Sequence, residues 1–150
     1  METSFSARVW NWYADDEYEK LLSFLQLCYG LEFLALEAKQ QSESIPYCPA
    51  CEVWSEKILR IKDFADDYGN DIPAYIKNEL LSIFESCENL SSDAFHCDDQ
   101  FMFSHNEWAS IRSAAINCLS RIEWCTLQTY AHEFEGRARN VLYGVPYQET

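Results

Sequence analysis

Apolar residues along this chain recur three and four positions apart, and strict apolar–polar alternation rarely persists beyond about four positions, a pattern that predicts helices and not strands. After an aromatic lead-in with Trp10, Trp12 and Tyr13, the acids Asp15, Asp16 and Glu17 stand where negative charge favours a helix start. A first helix is expected from there to about Gln40, with Tyr18, Leu21, Leu22, Leu25, Cys28 and Tyr29 on a wide apolar face that Phe33 and Leu36 continue. Gly30, inside that helix, marks a bend or a close helix contact. The polar connection QQSESIPY leads to Cys48 and Cys51. From about Cys51, Val53, Trp54, Ile58, Ile61, Phe64 and Ala65 define a second helix that stops at Gly69.

Pro73 suits the first turn of a third helix, with Ile76, Leu80, Ile83, Phe84 and Cys87 facing inward and an end near Asn89. Leu90 to Ser104, LSSDAFHCDDQFMFS, lacks helical period and reads as a long loop. Ser104 and Glu107 have the spacing of a capping box. One long helix or two in sequence should follow, with Trp108, Ile111, Ala115, Leu119, Ile122, Leu127, Tyr130 and Phe134 on the apolar face. Gly136 would be a break, and Gly144 with Pro146 would close the chain.

The expected fold is therefore all-α: a single-domain helical bundle over 1–150, with about four to six helices and one long acidic loop. Composition agrees, because Pro and Gly number 4 each, too few turn-formers for many short strands. Apolar residues at 48% and aromatics at 15% supply a core dominated by large rings. The sequence shows no internal repeat, low-complexity tract or domain linker.

Charge narrows the partners. Asp and Glu number 25 against 11 Lys and Arg, a formal net charge of −14. Such a surface repels nucleic-acid phosphates and anionic lipids, and it attracts basic proteins. Direct nucleic-acid and membrane binding are therefore not expected. The loop region is the extreme case: between Lys77 and Arg112 there is no Lys or Arg, while Glu79, Glu85, Glu88, Asp93, Asp98, Asp99 and Glu107 all occur. The first residues lack the basic, apolar and small-residue regions of a signal peptide, and no uncharged apolar run would span a bilayer. With 7 cysteines, an odd number, these features predict a cytoplasmic protein whose thiols stay reduced.

Candidate chemistry is sparse. Cys48-Pro49-Ala50-Cys51 has the spacing of a redox pair, but a helical pattern precedes it in place of the βαβ context in which that spacing is informative. It also supplies two zinc ligands, with Cys87, His96 or Cys97 as sources of others. No second Cys-x-x-Cys or spaced His pair completes the set. The motif reads as a turn into a helix, and a zinc-stabilised helical adaptor held by Cys48 and Cys51 is the alternative. His96, His105 and His132 stand in no catalytic motif. A hydrolase using Cys97 or a histidine has only the adjacency of His96 and Cys97 behind it. No catalytic residue, metal ligand set or cofactor is assigned, and the chain is expected not to be an enzyme.

Aromatic residues distributed among acids, as in WNWYADDEYE and FHCDDQFMF, suit recognition of a cationic protein, with rings as anchors and carboxylates meeting Lys and Arg. In size, acidity and helical pattern the chain resembles the small acidic cytosolic immunity proteins that bacteria make against nuclease toxins of the colicin and contact-dependent growth inhibition types. The resemblance implies an inhibitor that occludes a basic nuclease's substrate cleft. Phage anti-restriction and anti-CRISPR proteins share the same character. On this reading Asp93, Asp98 and Asp99 are candidate charge contacts and Phe95, Phe101 and Phe103 candidate anchors. Asp15, Asp16 and Glu17 form a second candidate patch.

Overall fold

A computed structural model describes residues 4–45, 49–98 and 100–146; Cys48 and Asp99, named above, lie outside the described residues. Among the described residues there are seven helices and no strand. They are α1 (Phe5–Ala14), α2 (Tyr18–Ala35), α3 (Ala38–Ser44), α4 (49–68), α5 (Ala74–Glu88), α6 (Glu107–Arg121) and α7 (124–143). Within α4, a π-helical stretch Trp54–Ile58 joins Pro49–Val53 to Leu59–Tyr68. Within α7, a 3-10 turn Gln128–Tyr130 joins Trp124–Leu127 to Ala131–Tyr143.

The helix α2 is the axis of the bundle. Leu21, Phe24, Leu25, Leu27, Cys28, Leu31, Phe33 and Leu34 are all buried and occupy more than one face, the pattern of a helix enclosed by neighbours. It packs against α1, α4, α6 and α7. Gly30 makes the closest approach: a Cβ there would lie 2.5 Å from the carbonyl oxygen of Lys57, in the π-helical stretch. The glycine is thus a close helix contact and not a bend.

The aromatic lead-in is itself a helix. Ser4 caps α1 by accepting the Ala7 N–H through its hydroxyl. Phe5, Val9 and Trp12 turn inward, where Trp12 meets Phe24 at 5.7 Å and Phe64 at 6.2 Å between ring centroids. Trp10 and Tyr13 instead pack against Phe134 of α7, at 4.8 and 5.1 Å. All four rings of WNWYADDEYE therefore pack within the fold, Tyr18 being buried against Tyr13 at 6.3 Å.

Two expected boundaries differ. The first long helix ends at Ala35, and α3 follows as a separate helix whose buried Gln41 donates to the Phe33 carbonyl at 2.9 Å. Arg112 of α6 reaches the same corner, donating to Leu36 O at 2.7 Å and to Gln41 Oε1 at 3.0 Å. The break between the last helices falls at Glu123, with φ 59, while the helix runs unbroken through Gly136. Left-handed backbone disfavours a side chain by roughly 1–2 kcal/mol. In return the Glu123 carboxylate accepts the Ser6 N–H at 3.0 Å, at the positive end of α1. The third expected helix is found with Ile76, Leu80, Ile83, Phe84 and Cys87 buried, but Pro73 is the residue just ahead of Ala74 and not part of the first turn.

Candidate partner-binding face

Among its described residues the segment from Leu90 to Ser104 has no α-helix, but it is anchored at several points. Its first part forms a turn in which Ser91 O accepts the N–H groups of Ala94 and Phe95. Glu107, the first residue of α6, accepts the Ser91 N–H at 3.0 Å and the Ser91 hydroxyl. These bonds hold the Glu107 carboxyl below its ordinary pKa, with the Ser91 hydroxyl the largest cause. The expected capping box between Ser104 and Glu107 is accordingly not formed. The Glu107 side chain is committed to Ser91, and its own N–H is accepted by His105 Nδ1 at 3.1 Å.

Farther along, the buried Trp108 donates its indole N–H to Ala94 O at 2.8 Å. Met102 Sδ accepts the His96 N–H at 3.2 Å, and His96 Nδ1 accepts the Asp98 N–H at 3.2 Å. The 3-10 turn Gln100–Ser104 then packs on α3.

This anchoring separates the candidate aromatics. Phe103 is 1% exposed, between Phe33 at 5.7 Å and Trp108 at 5.2 Å, so it is core and cannot touch a partner in this conformation. Phe95 is half-buried, bridging Trp54 of α4 and Trp108 of α6 at 6.4 and 5.8 Å. Phe101 is 75% exposed, the most exposed large apolar side chain among the described residues. Asp93 and Asp98 are exposed, and no Lys, Arg or His among the described residues lies within ion-pair distance of either. Asp99, the remaining acid of the group, is outside the described residues.

The second candidate patch is partly neutralised. Glu17 pairs with Lys20 at 3.0 Å, and the same ammonium meets Asp71 at 2.9 Å. Asp16, with φ 59, accepts the Tyr18 hydroxyl at 3.0 Å in the turn between α1 and α2. Asp15 is exposed and caps the end of α1 through its backbone. These acids shape a helix junction.

A groove that sequence patterning did not signal adjoins the loop. It is open, with a volume of about 910 Å³, and lies between α2, the end of α3 and the start of α4. Glu32, Glu52 and Glu56 face it with Lys57 the single cation among its lining residues, and Tyr29 and Phe33 contribute apolar surface. Burial pushes the Tyr29 phenol up to about 12, so it remains a neutral hydrogen-bonding group. Cys51, on the groove wall, lies 3.5 Å sulfur to sulfur from Cys97 of the loop. Loop and groove therefore share a rim.

The sulfur chemistry corrects one expectation: Cys97 is disulfide-bonded, so the thiols are not all reduced in this structure. Cys28, Cys51, Cys87, Cys118 and Cys125 are free. Burial raises the thiol pKa well above the ordinary value at Cys28 and to about 12 at Cys87 and Cys118. As to metal, no group of three or more His, Cys, Asp or Glu among the described residues, a set that does not contain Cys48, is arranged so that it could hold a metal ion. No helix of the described residues is long and apolar enough to cross a membrane.

Comparison with known proteins finds no match to a protein-family model, to a curated protein or to a solved structure. The face just described has to be interpreted from its own chemistry.

Proposed function

We propose that the protein is a non-enzymatic inhibitor of a basic protein, an immunity protein that neutralises a nuclease toxin by covering its substrate cleft. The observation that carries this reading is the exposed Phe101 in the same loop as the exposed Asp93 and Asp98, two carboxylates without a cationic neighbour among the described residues, on a chain of net charge −14. A cleft built to hold phosphate presents Lys and Arg, and carboxylates on a rigid acidic surface can take the phosphates' place. Phe101 would supply the desolvated anchor, and the adjoining groove with Glu32, Glu52 and Glu56 would receive basic side chains of the partner. Anchoring of the loop by Glu107 and Trp108 favours this role, because a pre-ordered surface loses little entropy on binding.

The test is capture of partners from source cells expressing the neighbouring genes, at low and high salt, followed by a nuclease assay on what is captured. The expected result is a basic nuclease that the protein suppresses stoichiometrically, with suppression lost in D93K/D98K and weakened in F101A. Both variants should keep wild-type circular dichroism, since these side chains are exposed. A captured nuclease indifferent to all three substitutions would remove this face from the mechanism, and capture that persists unchanged in high salt would remove the electrostatic basis.

A further inference from the structure

The sulfur contact at the rim supports an inference independent of any partner's identity. Cys51 is a free, exposed thiol, and its sulfur touches that of Cys97, which is already in a disulfide. The contact does not join two loose ends. Three residues after Cys51, Trp54 packs on Phe95 and on Phe84, the latter at 5.5 Å. Three residues before Cys97, Ala94 is held by the Trp108 indole, and its neighbour His96 is held by Met102. Each sulfur thus follows or precedes a segment tied to the core, and the 3.5 Å separation is van der Waals contact along which one sulfur can attack the other. The buried thiols Cys28, Cys87 and Cys118 offer nothing comparable, since desolvation keeps them protonated.

We propose that Cys51 and Cys97 form a thiol–disulfide exchange site, through which the disulfide of the acidic loop is passed to the start of α4. The Cys51 thiol releases its proton to water, and the thiolate sulfur attacks Cys97 Sγ. A Cys51–Cys97 bond forms as the bond from Cys97 to its present partner breaks. That partner leaves as a thiolate and takes up a proton. One disulfide is made and one broken, so the step requires no oxidant or reductant. Its consequence is a change in which cysteine holds the loop, next to Asp98 and the groove wall. Cys97 is exposed, and exposed disulfides are the labile kind open to exchange.

Disulfide mapping decides the matter. The purified full chain, incubated at neutral pH without reductant, is quenched in acid, denatured, alkylated with N-ethylmaleimide and digested with trypsin. Cys51 falls in the peptide 40–57, where fragmentation ahead of Pro49 assigns the label or linkage to Cys51 or to the residues before it. The expected wild-type result is two populations, one with Cys97 linked to Cys51 and one with Cys51 alkylated. Cys51→Ser should show complete loss of the first, and this exposed position should leave circular dichroism unchanged. Quantitative alkylation of Cys51 with no Cys51–Cys97 linkage would overturn the proposal. So would recovery of Cys97 wholly as a free thiol.

Discussion

Gly30 illustrates how one residue sets the distance between two helices. Alanine is the better helix former by about 1 kcal/mol, but its Cβ would lie 2.5 Å from the Lys57 carbonyl oxygen, a backbone atom that cannot rotate away. Overpacking of this kind costs roughly 1–3 kcal/mol, so Gly30→Ala should lower the thermal midpoint despite its propensity gain. Thermal unfolding followed by circular dichroism measures this directly. Glu107 is a second residue with a definite sign. Its folded pKa lies below the unfolded carboxylate value near ~4.3, so its bonds to Ser91 stabilise the loop above that pH and are lost as pH falls through the folded value. Hydrogen exchange at 91–95, expressed relative to the intrinsic rate at each pH, should accelerate on acidification in the wild type. In Glu107→Gln it should be faster already at neutral pH and respond less to acid. The buried cysteines give a further outcome: native protein at pH 8 should be alkylated at Cys125 while Cys28, Cys87 and Cys118 are protected until unfolding.

At the scale of elements, α3 depends on polar bonds more than on a wide apolar face. Gln41 is its only buried residue by helix position, and its amide links the Phe33 carbonyl to the Arg112 guanidinium. Removing one partner leaves the others buried and unsatisfied, at about 1–3 kcal/mol. Arg112→Ala should therefore destabilise the protein by that amount and loosen α3 selectively, measurable as faster hydrogen exchange over 38–44. Replacement by Lys should rescue little, because the guanidinium serves two acceptors at once. The acidic loop is held by the same kind of device. It was legible as a break in period, since Leu90 to Ser104 shows no helical spacing, but its attachments were not. Ser104 and Glu107 have capping-box spacing, yet the Glu107 carboxylate goes to Ser91, sixteen positions earlier, a contact only the folded chain creates.

For the whole molecule, the net charge of −14 makes opposite predictions for stability and for binding. Self-repulsion among unpaired acids weakens the compact state at low ionic strength, and salt screens it over a Debye length of about 8–10 Å near physiological strength. The thermal midpoint of the free protein should rise between about 10 and 150 mM salt. The same salt should slow association with a cationic partner, read as a falling on-rate in surface plasmon resonance. If both trends had the same sign, charge would not be the basis of recognition.

The sequence by itself determined the helical class, the third helix with its inward face, the long acidic break and the charge excess. Each depends on neighbours within a few positions or on composition, and such information is local. Only the tertiary structure decided that α2 lies at the centre, that Phe103 is core while Phe101 faces solvent, and that Cys51 meets Cys97. Two phenylalanines two positions apart look alike in a loop without period, and a side chain's exposure there is set by which distant rings pack over it. The groove likewise arises where α2, α3 and α4 meet, with α2 and α4 in close approach at Gly30, so it belongs to their packing and not to any one stretch of chain.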